Sequence, residues 1–302
     1  MEESNCFSEV SLEFMNSNPS LTLLEALKKG TLFLQKHHVE EPRLNTEYLL
    51  AHQLGLQRLE LYLQFNRLLE EEELNALRQL LLQRSRGIPL QYLLGTVEFL
   101  GRIFLSDQRA LIPRPETEQL LEHVLAHHQC QRILDVGTGS GVIAISIALE
   151  KPVAEVEAID CSLEALELAQ ENAKRYHMTN IQWHHGNLLS ALEKKEILSY
   201  FDLIVANLPY LLSKEISTLS RELSYEPIIA LDGGEDGLYL IKKLIRDAPK
   251  YLQSPGILLL EIGRDQEEKV VYEFKKNGYQ NILTFPDHQG ILRFVQAVYT
   301  KK

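Results

Sequence analysis

Cysteine is scarce in this chain, basic residues are outnumbered, and no apolar run is long. The three cysteines among 302 residues, Cys6, Cys130 and Cys161, are odd in number and far apart. That excludes a disulfide framework or a zinc knuckle and fits reduced thiols in a cytosol. Lysine and arginine number 31 against 42 aspartates and glutamates, for a net charge of −11. A protein that grips a phosphate backbone by bulk charge needs clustered Lys and Arg. Neither part supplies them: residues 1–87 carry 9 basic and 13 acidic residues, and the remainder 22 and 29. Nucleic acid is therefore not an expected partner. The longest apolar runs, such as residues 257–260, fall far below bilayer length, so no membrane partner is expected either. The first twenty residues lack both the basic and the apolar region of a targeting segment. A cytoplasmic protein is the expectation. Repeats and low-complexity tracts are missing as well. What is there, 45% hydrophobic and 24% charged residues, suffices for two ordinary domains and excludes disordered and fibrous classes.

Residues 1–20 form an acidic N-terminal tail without an evident role. Residues 21–87 read as a small helical domain: Leu74, Leu77 and Leu81 share one helical face, Glu70 to Glu73 stand at its start, and Gly87 is a natural stop. In residues 88–112, Pro89, Gly95 and Gly101 punctuate segments rich in Tyr, Val, Phe and Ile, which predicts an extended or hairpin connector. From residue 113 to 302 short apolar strands alternate with helices. Strands are expected at 133–136, 153–160, 181–185, 201–206 and 257–261, with a closing antiparallel pair at 282–285 and 291–298. The fold class is α/β, with a mostly parallel, doubly wound sheet.

The first strand of that sheet runs into Asp135-Val136-Gly137-Thr138-Gly139-Ser140-Gly141 and then an apolar helix. Glycines let a backbone turn sharply and come close to a ligand. Asp160 ends the second strand, 21 residues after Gly139, where a carboxylate can accept both hydroxyls of a ribose. The spacing G-x-G-x-G is not the dinucleotide pattern G-x-G-x-x-G, and no P-loop lysine follows. The loop and its paired acid resemble the S-adenosylmethionine site of class I methyltransferases. That resemblance implies a seven-stranded Rossmann-like sheet and makes Gly137, Thr138, Gly139, Ser140, Gly141 and Asp160 cofactor-binding candidates. A tight turn without a ligand is the plain alternative.

The fourth strand runs into Asn207-Leu208-Pro209-Tyr210, at the end of the sheet where open α/β folds bind ligands. The tetrapeptide resembles the (N/D)-P-P-(Y/F) signature of methyltransferases acting on planar nitrogens, either an adenine amine or a glutamine amide. By that resemblance all four residues are catalytic and substrate-binding candidates. The Asn207 side-chain oxygen and the Leu208 carbonyl would accept the two amide protons, and Tyr210 would stack on the flat group. Asn207 also faces the cofactor. Leu208 replaces the signature's first proline: the carbonyl survives, but the fixed φ is lost. An ordinary strand-ending turn is the alternative, since Asn and Pro are common there.

Adenine and glutamine are separated by the flanking segments. Arg86 to Gly95, Glu98-Phe99, Leu111 to Glu118, Glu226-Pro227, Ala230 to Leu238 and Leu260 to Gly263 together resemble the HemK/PrmC-type protein-(glutamine-N5) methyltransferases that modify peptide chain release factors. The resemblance spans roughly residues 86–265. It implies a release factor as partner, the glutamine of a Gly-Gly-Gln loop as substrate, and a helical domain that recognises it. It also implies that Pro113 to Glu118 lie over the methionine end of the cofactor with Phe104, where Arg114 and Glu116 either orient it or form a surface ion pair. Asn187 and Leu188 stand where the family has an acid reaching the adenine, so they are cofactor-binding candidates too. An N6-adenine methyltransferase and a catalytically silent binding module remain the rival readings. Histidine pairs at 37 and 38, 127 and 128, and 184 and 185 have no acid or cysteine completing a ligand set, so no metal is expected.

Overall fold

Leucines at helical spacing build the first of two compact units, which runs as far as Gly95 and takes in Ser220–Tyr225. The computed structural model describes residues 21–195 and 198–301; the N-terminal tail, with Cys6, lies outside the described residues. Helix α1 (Leu23–Lys36) starts where Thr22 Oγ1 accepts the Glu25 N–H and the Glu25 carboxylate accepts the Thr22 N–H in return. Helix α2 (Pro42–Leu54) has proline in its first turn and stops at Gly55, whose φ of 64° only glycine adopts freely. In α3 (Glu71–Ser85), Leu74, Leu77 and Leu81 are all buried, packed in one cluster with Leu23, Leu34, Leu49 and Leu50.

Two features of this unit depart from the sequence expectation. The connector begins with a helical turn, α4 (Leu90–Leu94), instead of an extended segment. Leu90, Leu93 and Leu94 lie on one face and pack against the leucine cluster, so helical burial outweighs the strand propensity of a five-residue stretch. The second is Ser220–Tyr225, a distant segment that joins the helices. Buried Arg84 explains it by donating from Nε to Asn45 Oδ1 at 2.7 Å and from Nη2 to Glu222 Oε2 at 2.9 Å.

The second unit opens with the antiparallel hairpin β1 (Thr96–Phe99) and β2 (Arg102–Leu105). Helix α5 (Pro115–Ala126) follows. The sheet then alternates β3 (Arg132–Val136), α6 (Val142–Glu150), β4 (Glu155–Asp160), α7 (Leu163–Arg175), β5 (Ile181–His185) and β6 (Phe201–Asn207). After α8 (Ser213–Ile216) and α9 (Tyr239–Asp247) come β7 (Leu252–Glu261), α10 (Glu267–Lys276), β8 (Gln280–Pro286) and β9 (Leu292–Tyr299). The seven-stranded order is β5-β4-β3-β6-β7-β9-β8, parallel from β5 through β7, with β9 antiparallel to both β7 and β8. Every side chain of β6 up to Ala206 is buried, as expected for a central parallel strand covered on both faces. Residue 153, expected in a strand, lies in an exposed turn before β4.

The order reverses between β3 and β6, and ligands in such sheets bind beyond the strand ends at that reversal. Both the glycine loop after β3 and the tetrapeptide after β6 emerge there. Among the described residues no helix is long and apolar enough to cross a membrane.

Candidate active site

The glycine loop takes its shape from three left-handed residues, with φ of 78°, 57° and 82° at Gly137, Gly139 and Gly141. Its backbone is pinned from two sides. The Gly137 and Thr138 N–H groups donate to the Ile159 carbonyl at 2.8 and 3.0 Å, and Thr138 Oγ1 donates to Asp135 Oδ2 at 2.6 Å. Asp135 is fully buried and its Oδ1 has no partner among the described residues, so burial pushes its carboxyl up to about 7. Asp160 Oδ2 accepts the Gly139 N–H at 2.8 Å and Oδ1 accepts the Ser162 N–H at 2.9 Å. Each oxygen keeps a second acceptor site for a ribose hydroxyl. Asn172, buried in α7, clamps the loop from behind: its Nδ2 donates to the Ser140 and Leu105 carbonyls, and its Oδ1 accepts the Leu105 N–H at 2.7 Å.

A cavity of about 240 Å³ opens in front of this loop. Gly137, Thr138, Gly139, Ser140, Asp160, Asn187, Leu188, Asn207, Leu208 and Pro209 line it. Pro113 and Thr117, from the segment expected over the cofactor, line it too, as does Cys161, which no sequence signal marks. Gly141 and Tyr210 lie outside the lining. Gly141 instead permits close packing, since a Cβ there would stand 2.9 Å from Ala169 Cβ. Leu188 is buried with φ of 53°, while Asn187 is exposed. The fit for S-adenosylmethionine rests on features of this cavity: a backbone cradle of glycines at positive φ, a carboxylate with free acceptor sites, and apolar walls from Ile159, Leu188 and Ala165.

Leu208 joins the two motifs. Its side chain is buried with Cδ2 3.0 Å from where a Cβ on Gly137 would lie, so the side chain that replaces proline fills the space under the glycine loop. No donor among the described residues reaches the Leu208 carbonyl. Asn207 Nδ2 donates to Thr117 Oγ1 at 3.0 Å, and Thr117 Oγ1 donates onward to Glu261 Oε2 at 3.0 Å. Asn207 and Glu261 are register partners on the adjacent parallel strands β6 and β7. Burial pushes the Glu261 carboxyl up to about 7, although Thr117 lowers it.

The remainder of the tetrapeptide is held by close backbone approaches and by the Gln266 side chain. Leu211 N–H donates to the Leu231 carbonyl at 3.0 Å, and Gly233 N–H donates to the Leu211 carbonyl at 2.8 Å. A Cβ on Gly233 would sit 2.7 Å from the Pro209 carbonyl oxygen, and one on Gly237 2.5 Å from that of Tyr210. Gln266 Nε2 donates to the Tyr210 carbonyl at 2.9 Å, and the Tyr210 ring lies over Gly263. Burial and then the Glu261 charge push the Tyr210 hydroxyl up to about 12.

Phe104 is fully buried edge-on to Phe99 and away from the cavity lining, in contrast to its expected place over the cofactor. Arg114 pairs with buried Glu226, whose other oxygen accepts the Ile112 N–H at 2.9 Å; neither Arg114 nor Glu116 lines the cavity. The histidines have local partners: His184 Nε2 lies 2.5 Å from Glu157 Oε2, His127 Nε2 lies 2.7 Å from Gln296 Oε1, and His123 stacks on Phe285.

This sheet order, with a glycine loop, the Asp160 carboxylate and a tetrapeptide meeting at its reversal, defines a class I methyltransferase. The PrmC N-terminal domain family matches residues 25–95, and the methyltransferase small domain family matches residues 115–223. A release factor glutamine methyltransferase of Geobacter sulfurreducens is 40% identical over 285 residues, covering 93% of this chain and 98% of its own length. One from Chlorobaculum tepidum is 40% identical over 259 residues, covering 82% and 88%. The chain belongs to the release factor glutamine methyltransferase family. A solved release factor-specific protein-(glutamine-N5) methyltransferase from Alicyclobacillus acidocaldarius shares 25% identity and covers 63% of this chain and 95% of its own; its TM-score of 0.38 adds nothing to that assignment.

Proposed function

We propose that the protein methylates the side-chain amide nitrogen of the glutamine in the Gly-Gly-Gln loop of peptide chain release factors. One observation carries the reading most: Asn207 lines the same cavity as the glycine loop and Asp160, with its amide nitrogen already committed to Thr117. Its Oδ1 is thereby left to accept from a substrate. S-adenosylmethionine supplies an electrophilic methyl group on a sulfonium. The backbone cradle of Gly137 to Ser140 and the Asp160 carboxylate hold that cofactor. Asn207 Oδ1 and the Leu208 carbonyl accept the two protons of the glutamine amide, which orients the nitrogen and raises its electron density as the new bond forms. No base is assigned for the attack, because the nitrogen becomes acidic only once alkylated. A substrate that acts in translation termination implies a cytoplasmic enzyme, and the net charge of −11 favours a protein substrate over nucleic acid.

The test incubates the full chain with labelled S-adenosylmethionine and either release factor or release factor carrying alanine in place of the motif glutamine. Label in the first alone is expected. Label in both, or only in added DNA, overturns the assignment. Asn207→Ala should abolish transfer while calorimetry shows cofactor binding nearly unchanged; loss of cofactor binding instead would take Asn207 out of its substrate role.

A further inference from the structure

The amide of Asn207 has two faces of similar shape and opposite hydrogen-bonding sense, and only one presents oxygen to the cavity. What selects that face is the polarity of the chain behind it. An ionised carboxylate accepts only, so Glu261 Oε2 takes the single proton of the Thr117 hydroxyl. The hydroxyl oxygen can then only accept from Asn207, which must turn its NH2 inward. Asn207 and Glu261 are register partners on adjacent strands, and the Asn207 amide lowers the Glu261 pKa, as an NH2 turned towards that side does.

We infer that Thr117 and Glu261 are positioning residues, an ionised carboxylate and a hydroxyl that together keep the Asn207 oxygen turned to the substrate. The three residues are held by separate elements: Thr117 by the first turn of α5, Asn207 by the end of β6, and Glu261 by the end of β7. All three residues lie in the same unit, and Thr117 and Glu261 are both buried. The inference rests on the reading of Asn207 as the acceptor for a substrate amide, and deepens it.

Protonation of Glu261 reverses the logic. The carboxyl becomes a donor to the Thr117 oxygen, the hydroxyl proton is freed to point at Asn207, and the amide is no longer biased to show its oxygen outward. Burial sets the raised pKa of about 7; the Glu116 charge on α5 raises it further, and the Arg293 guanidinium on β9 lowers it. The Tyr210 hydroxyl, after β6, also feels the Glu261 charge and, pushed up to about 12, stays neutral through this range. Activity carried by the ionised form is therefore present above that value and lost as pH falls through it.

The experiment follows the Asn207 side-chain amide of the full chain by two-dimensional nitrogen–proton spectroscopy, the pair being assigned by its absence from Asn207→Ala. In the wild type it should shift with a single midpoint near neutrality, and in Glu261→Gln that titration should vanish. In parallel, Thr117→Val should lower kcat about tenfold, the loss of one orienting hydrogen bond, with cofactor affinity unchanged. Thr117→Ser should restore it, and Glu261→Gln should flatten the acidic limb of the rate profile. An amide signal that ignores pH, or a Thr117→Val enzyme with wild-type kcat on a release factor that is labelled normally, overturns the inference. If the amide titrates as described while the release factor stays unlabelled, the positioning chain stands and the assigned reaction falls.

Discussion

Gly233 is the position where one methyl group should stop the enzyme without unfolding it. A Cβ there would lie 2.7 Å from the carbonyl oxygens of Pro209 and Gly237 and 2.8 Å from Tyr210 Cα. All three are backbone atoms, so no side chain can swing aside. Ordinary contact needs about 3.4 Å or more, and the segments must part by several tenths of an ångström. Overpacking of this kind costs about 1–3 kcal/mol, a fall in Tm of roughly 2–10 °C for a unit of this size. Two of the three colliding atoms belong to the tetrapeptide, so the displacement passes directly to the carbonyls beside Asn207. A shift approaching 1 Å at a reacting centre lowers rate about a hundredfold.

The control is Gly278→Ala. Gly278 follows α10 with φ of 82°, and a Cβ there would meet nothing within 4 Å, so alanine brings only left-handed backbone strain, about 1–2 kcal/mol. Both variants should melt earlier, by thermal unfolding, and both should remain folded at 25 °C. Only Gly233→Ala should lose methyl transfer, measured as kcat with labelled cofactor and release factor. A Gly233→Ala enzyme with lowered Tm and wild-type kcat would show that the close approach does not set the geometry of residues 207–210.

Two further substitutions test the cofactor side. Asp160→Asn must place an NH2 against the N–H of either Gly139 or Ser162, which Asp160 now accepts at 2.8 and 2.9 Å. The cofactor Kd should rise about tenfold to a hundredfold, by calorimetry, and an unchanged Kd would reduce Asp160 to a loop strut. Asp135 has its pKa raised from 3.8 to about 7 by burial, so the folded state holds its proton more tightly than the unfolded chain. Its contribution to stability is full below about pH 4 and is lost as pH rises through about 7, by an amount on the order of 4 kcal/mol. Asp135→Asn should therefore gain in Tm relative to wild type between about pH 5 and about pH 8, and parallel melting curves would refute the burial argument.

The parts of the site that were legible in sequence are those in which one short segment carries its own geometry. Glycines with enforced positive φ, an acid ending the next strand and a polar tetrapeptide ending a fully apolar one are all local patterns, and they meet because parallel strands end on the same side of a sheet. Thr117 and Glu261 were not legible as partners of Asn207, because Thr117 comes from a helix 90 residues away and Glu261 through the register of a strand 54 residues away. A signal for Glu261 was nonetheless present: a charged residue closing the apolar run of 257–260 stands where a buried strand has no reason to end on a charge unless something is bonded to it. The helix α4 and the docking of Ser220–Tyr225 on the helical unit were illegible for a different reason. Each is too short to show a period, and each is decided by contacts with leucines or with Arg84 that lie elsewhere in the chain.

Asp135 and Glu261 obey a common rule. Both are fully or nearly fully buried at the C-terminal ends of sheet strands, both are pushed up to about 7 by burial, and both accept a hydrogen bond from a threonine that lines the cavity, Thr138 and Thr117. Neither threonine could be oriented as firmly by a neutral partner, because an amide or hydroxyl can donate as well as accept, whereas an ionised carboxylate only accepts. Burying a carboxylate destabilises the fold, and apolar residues at these two positions would pack without that cost. The cost is localised at the two strand ends that flank β6, one behind the glycine loop and one behind Asn207. Stability is thus given up where a hydroxyl proton is held in one direction, behind the glycine loop and behind Asn207.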